Sequence, residues 1–232
     1  MAISYNPIIV RDGLVLALDA ANPKSYPGSG TTWFDLSGAG NHFTLFNSPT
    51  HTANRWFTFN GSTQYARSSS VIDMSTYKYV TVEIGIRNIT IGVGMAWEHT
   101  ADWNSNAGGF GLYHNSQGGA QVSGWHHTNH NTYGSLNYQL DTNTTWNVHT
   151  NVFSRVVDTT GRLAYGNGQL LATGSTTSAS SVFANSFFHI ATRGGSSAFS
   201  NSEISFIRIY NKKLSAEEVI QNFNANRARY GI

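Results

Sequence analysis

Short segments of alternating apolar and polar residues recur along the chain, with turn-forming residues between them. In residues 79–87, Val80, Val82, Ile84 and Ile86 fall on one face, because strand side chains alternate with a period of two. Further strand candidates lie at 13–19, 41–46, 56–59, 93–97, 110–113, 120–125, 135–140, 146–153, 162–165, 169–172, 187–191 and 203–209. Many short strands at near-regular spacing predict an all-β fold of two packed antiparallel sheets.

Glycine-containing dipeptides mark the tightest turns. Asn167-Gly168 predicts a two-residue hairpin, because both residue types adopt positive φ readily. Asn60-Gly61 predicts either a hairpin or a tight corner between strands. The Thr-Gly pair at 160–161 predicts another turn, just before the strand candidate that follows it.

A helix start follows the last strand candidate. Ser215 and Glu218 have the S-x-x-E spacing of a capping box, in which each side chain bonds the other residue's backbone N–H. Leu214 and Val219 have the spacing of a hydrophobic staple. The pattern predicts a short C-terminal helix at about 216–227.

Composition narrows the class of protein. Of the 232 residues, 11% are charged and 13% aromatic, which is the reverse of a disordered chain. The net charge is +2 and Lys212-Lys213 is the longest basic run, so no nucleic-acid partner is expected. No apolar stretch approaches the roughly 20 residues of a membrane span. Cysteine is absent and no signal peptide is evident at the N-terminus, which favours assembly in a reducing cytoplasm.

The chain divides into an arm and one domain. Residues 1–11 form an N-terminal arm, interpreted either as an edge strand or as a docking segment, because Pro7 blocks a regular start. Residues 12–232 are predicted to form a single domain that includes the C-terminal helix.

Four blocks resemble a known family. They are Phe59-Asn-Gly-Ser-Thr-Gln-Tyr65, Trp146-Asn-Val-His-Thr-Asn-Val-Phe, Tyr165-Gly-Asn-Gly-Gln-Leu-Leu, and the stretch from Ile204 to Glu218. In this order they resemble the laminin-G-like, concanavalin A-like jelly rolls. The resemblance implies a two-sheet antiparallel jelly-roll sandwich, in agreement with the strand pattern.

A narrower resemblance involves both ends of the domain. Asp12-Gly-Leu-Val-Leu-Ala-Leu-Asp-Ala-Ala-Asn-Pro-Lys-Ser-Tyr, Trp33-Phe-Asp-Leu-Ser-Gly-Ala-Gly-Asn-His and Gln221-Asn-Phe-Asn-Ala-Asn-Arg-Ala-Arg-Tyr-Gly are similar to laminin-G-like structural proteins of tailed bacteriophages. The resemblance implies a virion protein that decorates a capsid or tail in many copies, beside other virion proteins.

Glycoside hydrolysis is the first activity to test, since some concanavalin A-like proteins are glucanases. The reaction needs two carboxylates flanking the scissile bond. The family's E-x-D-x-x-E strand motif does not occur, and Glu98 and Asp102 form the nearest pair. The chain is therefore expected not to be an enzyme.

Two sets of residues offer metal ligands. Glu98, Asp102 and Asn104 present oxygen atoms of the kind calcium prefers, so a structural calcium ion is one hypothesis. The His-His-x-x-His cluster at 126–130 suggests a transition metal, but no fourth ligand is indicated and surface histidines explain it better. No other cofactor is expected.

Carbohydrate binding is the leading small-ligand hypothesis, because sugars stack on aromatic rings while polar side chains contact their hydroxyls. The candidates are Trp97, Asp102, Trp103, Asn104, Trp125, His126 and Tyr133. In the alternative interpretation, Trp97 and Trp125 are strand residues packed in the core, and Trp103 is the best surface candidate. Trp146 is assigned to the core.

These observations favour a non-enzymatic virion structural protein of a tailed phage that binds host-surface glycans. The first alternative is a carbohydrate-binding lectin module without a virion role. The second is a glycoside hydrolase acting through Glu98.

Overall fold

The computed structural model describes residues 8–53, 55–88, 94–100, 108–115, 121–129, 132–140, 145–176 and 182–232, with 115, 121–129 and 132–135 described by backbone alone. The strands are β1 (Leu14–Asp19), β2 (Thr32–Trp33), β3 (Phe43–Phe46), β4 (Thr50–Thr52), β5 (Trp56–Asn60), β6 (Tyr65–Ser68), β7 (Ile72–Asp73), β8 (Tyr79–Asn88), β9 (Gly94–His99), β10 (Phe110–Asn115), β11 (Gln121–Asn129), β12 (Thr132–Gln139), β13 (Asn147–Ser154), β14 (Asp158–Gly166), β15 (Gln169–Thr176), β16 (Asn185–Ser186), β17 (Phe188–Ile190) and β18 (Asn201–Tyr210). Helix α1 (Ala216–Asn226) and a 3-10 helix (Arg227–Arg229) follow.

The strands form two antiparallel sheets and one short pair. Sheet A has the order β15-β14-β13-β8-β18-β5-β4, and β1 also pairs with β18. Sheet B has the order β12-β11-β10-β9-β17-β6-β3-β2, and β16 pairs with β7. The predicted antiparallel sandwich with a short C-terminal helix is confirmed. Among the described residues, no helix is long and apolar enough to cross a membrane.

The main hydrophobic core lies between the two sheets. Val80, Val82, Ile84 and Ile86 are all fully buried there, as their alternation predicts. Opposite them, sheet B contributes large side chains that are also fully buried, among them Trp33, Phe43, Trp97, Phe110 and Phe188. Burying one such side chain contributes about 1.5–3 kcal/mol, so this interface dominates the stabilisation of the sandwich.

The two Asn-Gly turns have different roles. Asn167 and Gly168 have φ of 52° and 80°, and they connect β14 to β15 as the predicted hairpin. Asn60 ends β5 in sheet A, whereas Tyr65 begins β6 in sheet B. The second turn is therefore a corner between the sheets, one of the two predicted alternatives.

The turn predicted at 160–161 is wrong, because β14 runs straight through these residues. The pairing with β15 instead shifts between Asp158 and Arg162, as at a β-bulge. A Cβ atom added at Gly161 would lie 2.5 Å from the Thr176 hydroxyl oxygen. Glycine is thus needed for close approach inside the strand rather than for a reversal of the chain.

Trp146 is buried but lies outside the main core. Its ring stacks on Tyr230 at 4.8 Å and packs at a tilt against Trp56 at 5.1 Å. Val152, three two-residue strand repeats further on, belongs to a small cluster with Val219 of α1, while Phe153 belongs to the main core. The apolar side of this segment therefore faces the C-terminal residues, and its alternate residues face the other sheet.

Helix α1 covers the outer face of sheet A. The capping box of Ser215 and Glu218 is present as predicted. Leu214 and Val219 are both buried in the small cluster, which also contains Val10. The Val10 amide donates to the Asn222 side-chain oxygen at 2.7 Å, so the residues just before β1 are attached to the helix.

A buried ion pair joins this helix to the sheet. Glu83 and Arg208 are almost fully buried, with 3.6 Å between Oε2 and Nη1. The Asn222 amide donates to Glu83 at 2.8 Å and the Thr150 hydroxyl donates at 3.2 Å. Burial raises the Glu83 pKa to about 6, and Arg208 opposes that rise.

Histidines are unusually frequent in the buried parts of the sandwich. His149 Nδ1 lies 3.0 Å from the Tyr138 hydroxyl, and its ring meets His114 edge-on at 6.1 Å. Burial lowers the pKa of His99 and His114 to about 4, and burial followed by the neighbouring His114 lowers that of His149 to about 3. Burial, then Arg67, lowers the His189 pKa to about 4. The fold therefore binds these imidazoles in their neutral form.

We expect the protein to lose stability in mild acid. Unfolded histidines have a pKa of about 6.5, above the folded values, so the stabilisation is complete above that pH and is lost as the pH falls toward 4. Each histidine contributes a slope of up to about 1.4 kcal/mol per pH unit. Urea denaturation at a series of pH values measures the slope of the free energy of unfolding against pH. His149→Gln should reduce the slope of the free energy of unfolding against pH by the share of one titrating group. A free energy of unfolding that stays constant down to about pH 4.5 would contradict the prediction.

Candidate functional site: the outer face of sheet B

The outer face of sheet B carries a row of polar side chains. Ala66 and Phe188 point into the core, so their strand neighbours Arg67 and His189 lie on the opposite face. The strand register places Thr44 beside Arg67, Arg67 beside His189, and His189 beside Glu98. The row therefore crosses β3, β6, β17 and β9.

Glu98 lies at the buried end of this row. Its side chain is fully buried, and Oε2 is 3.4 Å from Nε of Arg193. The Arg193 guanidinium also lies 5.6 Å from the ring centre of Tyr113, and its Nη2 is 3.4 Å from the Met95 sulfur. Arg193 is partly exposed, so its charge reaches the surface while Glu98 lies beneath it.

Half-buried aromatic rings lie beside the polar row. Phe46 and Tyr65 stack at 4.5 Å with 5° between their planes, and Phe199 lies 6.3 Å from Tyr65. The Arg67 guanidinium is 5.1 Å from the Phe46 ring and 4.5 Å from the Phe187 ring. We call Phe46, Tyr65, Arg67, Phe187 and Phe199 the aromatic platform. Half-exposed rings beside the Arg67 guanidinium suit a ligand with both apolar and hydroxyl surfaces, such as a sugar.

The loop at 191–200 is strained beside this platform. Ala191 and Ala198 have φ of 63° and 46°, a region that residues with a Cβ atom rarely adopt. Backbone bonds from the Ala191 amide to Ala96 and from the Met95 amide to Ala198 attach the loop to β9. Strain of this kind costs about 1–3 kcal/mol per residue and is concentrated at functional sites. It therefore supports the platform as a candidate site.

The structure corrects the prediction for Trp97. Its side chain is fully buried, stacks on Phe188 at 5.4 Å, and meets Phe110 and Phe153 edge-on at 5.7 Å. A sugar cannot reach this ring, because it fills the space between the sheets. Trp97 is a core residue, as the alternative interpretation held.

The other predicted sugar-binding residues lie around the same sheet. Asp102, Trp103 and Asn104 are outside the described residues. Trp125 and His126 are in β11, where Trp125 pairs with Gly111, which itself pairs with Glu98. Tyr133 of β12 pairs with residue 127. The fold thus brings Trp125 into the same transverse row as Glu98, and the roles of these residues stay predictions.

The metal hypotheses also stay predictions. Glu98 has Arg193 close to its carboxylate, and its proposed co-ligands Asp102 and Asn104 are outside the described residues. Within the described ranges, no group of three or more histidine, aspartate, glutamate or cysteine side chains is positioned to hold a metal ion.

The sequence interpretation missed the aromatic platform. What could have revealed it is an aromatic residue on the outward-facing side of an alternating strand. Phe46 alternates with the core residues Phe43 and Leu45 and so lies on the opposite face of β3. Tyr65 likewise lies on the face opposite the core residue Ala66 of β6. Packing in the core does not explain an aromatic residue at such a position, so its presence marks a candidate for ligand binding.

Two antiparallel sheets packed face to face around one core define the concanavalin A-like jelly-roll class of fold. The chain belongs to the concanavalin A-like lectin/glucanase superfamily, because the laminin G family model of that superfamily matches residues 89–220, more than half of the chain. A comparison with curated protein sequences found no match.

Solved structures with this fold include receptor-binding domains of botulinum neurotoxins. That of the C/D mosaic serotype has a TM-score of 0.71 at 13% identity, over 92% of this chain and 51% of that one. Neurotoxin type C, whose cell entry is dependent upon interaction with two ganglioside molecules, gives 0.70 at 14% identity, over 93% and 52%. The binding domain of neurotoxin DC in complex with SialylT gives 0.68 at 14% identity, over 93% and 52%.

The chain spans about half the length of these solved structures. At such low identity, the similarity shows that the fold is shared.

We expect Trp97→Ala to destabilise the sandwich rather than to act on a ligand. Truncating a fully buried tryptophan should lower the free energy of unfolding by about 3–5 kcal/mol, because it leaves a cavity. Tyr65→Ala, at the half-buried platform, is the matched comparison and should cost clearly less. Urea denaturation measures both. A loss of less than about 1 kcal/mol for Trp97→Ala would contradict its placement in the core.

Proposed function

We propose that this protein is a non-enzymatic glycan-binding module, and that the aromatic platform on sheet B is its binding surface. The single observation that carries the proposal is the stacked, half-exposed pair Phe46 and Tyr65 beside the guanidinium group of Arg67. Aromatic rings bind the apolar faces of sugars, and guanidinium groups donate to their oxygens. The ganglioside dependence of a toxin with the same fold supports a lectin role.

The carboxylates support a binding role over hydrolysis. Among the described residues of sheet B, Glu98 is the one carboxylate, whereas glycoside hydrolysis needs a pair that flanks the scissile bond. Its side chain is fully buried beneath Arg193, so it does not face a substrate on the surface. Glu98 is better suited to hold the Arg193 guanidinium in place than to transfer a proton to a sugar.

We further propose that the module belongs to the virion of a tailed phage and contacts host glycans from the capsid or tail. The support is the similarity of the segments beginning at Asp12, Trp33 and Gln221 to laminin-G-like phage structural proteins. The N-terminal arm is the proposed attachment to other virion proteins. Residues 8–11 already contact α1, so residues 1–7 are the part of the arm proposed to reach a partner.

Tyr65→Ala should abolish or strongly weaken glycan binding. Removing the ring removes a stacking surface, and we expect at least a tenfold loss of affinity, about 1.4 kcal/mol. A glycan array identifies the sugar, and calorimetry measures the affinity. Tyr79→Ala, a half-buried tyrosine on sheet A, is the matched control and should bind normally. If glycans bind with unchanged affinity to Tyr65→Ala, the platform is not the site.

The virion role predicts that the chain is present in purified particles. Mass spectrometry of those particles should detect it in many copies, and deletion of residues 1–7 should prevent its incorporation while circular dichroism shows an intact fold. If the chain binds glycans but is missing from the particles, the lectin alternative without a virion role is correct. Incorporation that survives the deletion would rule out the arm as the attachment.

A further inference from the structure

A cleft of about 240 Å³ lies on the other side of the sandwich from the aromatic platform. It is bounded by β1, the C-terminal end of α1 and the 3-10 helix. Its polar lining, here called the arginine cleft, consists of Arg11, Asp19, Asn22, Arg208, Asn226 and Arg229. Leu14 and Leu36 contribute an apolar wall.

The charges of the cleft lining are unequal. Three guanidinium groups face one carboxylate, that of Asp19, so the lining carries an excess of two positive charges. Glu83 lies behind Arg208, 3.6 Å away, and offsets the charge of that buried guanidinium, so the excess that a ligand meets is about one positive charge, that of the exposed Arg11. A ligand that enters the cleft is therefore favoured if it is an anion.

The three arginines are available to a ligand to different degrees. Arg229 makes a two-pronged contact with Asp19, at 2.8 and 3.0 Å. Arg208 donates to Asn226 at 2.9 Å and packs on Phe206. Arg11 is exposed and its side chain makes no hydrogen bond or ion pair with the described residues. Two guanidinium groups are thus held in place by the fold, and the third can close on a ligand.

The volume limits the size of that ligand. Since one water occupies about 30 Å³ in the liquid, the cleft has room for about eight waters. That space suits one sugar ring or a molecule of similar size, and is smaller than the usual drug-sized pocket of about 300–1,000 Å³. The side-chain amides of Asn22 and Asn226 offer both donors and acceptors to hydroxyl groups.

We propose that the arginine cleft is a second binding site, which takes a small organic anion of monosaccharide size through its carboxylate or phosphate group. Arg11 and Arg229 contact the anionic group, and the two asparagines contact the hydroxyls. In the free protein Asp19 occupies Arg229 in place of the anion. The site is separate from the aromatic platform, and either can exist without the other.

Calorimetric titration with glucuronate, glucose 6-phosphate and glucose tests the proposal. At least one anion should bind with a dissociation constant of about 1 mM or below, neutral glucose should not bind, and added salt should weaken the binding. The two anions distinguish a carboxylate site from a phosphate site. If neither anion binds at about 10 mM, or if glucose binds as well as they do, the proposal is wrong.

Two substitutions in the cleft should change the affinity in opposite directions. Arg11→Ala should weaken anion binding about tenfold, because it removes a charged donor without removing any hydrogen bond of the fold. Asp19→Asn should strengthen anion binding about fivefold, because it removes the carboxylate that competes with the anion for Arg229. The asparagine side-chain oxygen can still accept from the Ala21 amide, so the local fold is kept.

Matched controls separate this site from general charge effects and from the platform. Lys78→Ala removes an exposed positive charge elsewhere and should leave anion binding unchanged. Tyr65→Ala should also leave it unchanged, so a failure of the platform does not affect this result. Side-chain Nε–H signals of Arg11 and Arg229 in NMR spectra should shift with the anion. Equal affinity for the parent protein, Arg11→Ala and Asp19→Asn would overturn the proposal.

Discussion

The buried contact between Glu83 and Arg208 is the interaction on which the sheet A side of the molecule depends. It joins β8 to β18, and through Asn222 it also joins both strands to helix α1. Leaving one member of such a pair without the other costs about 3–5 kcal/mol, a large part of the stability of a typical domain. Burial nevertheless raises the Glu83 pKa to about 6, so desolvation outweighs the attraction of the guanidinium. Through Asn222 the pair holds the helix against both strands, at a cost in desolvation.

That placement gives the two outer faces of the sandwich different surroundings. On sheet A, α1 and Val10 cover the surface and bury Leu214 and Val219. On sheet B, the rings of Phe46 and Tyr65 are half-exposed beside Arg67. Each sheet buries its inner face in the core between the sheets, so its outer face can be solvated. The helix covers that outer face on sheet A, whereas on sheet B the rings of the platform stay half-exposed.

The family resemblance and the structure agree on the architecture and differ on the site. Period-two patterning was sufficient for the strands, because Val80 and Ile84 are buried as it predicts. It was insufficient for Trp97, since an aromatic residue in a strand suits either a core or a sugar site. Asn151 and His149 show the same limit: they lie inside the sandwich, where a polar pattern predicts surface. Tertiary partners such as Tyr138 make that burial tolerable, and no local pattern reveals them.

The sequence by itself determined the strands, the Asn167-Gly168 hairpin, the capped helix and the jelly-roll class, because each depends on residues close together in the chain. Only the tertiary structure decided which aromatic rings are exposed and which charges meet. Phe46 and Phe199 lie far apart in sequence, yet both lie beside Tyr65 because β3 pairs with β6 and the loop at 191–200 crosses the same face. Long-range strand pairing creates such a surface, so its members cannot be recognised from their own neighbours in the chain.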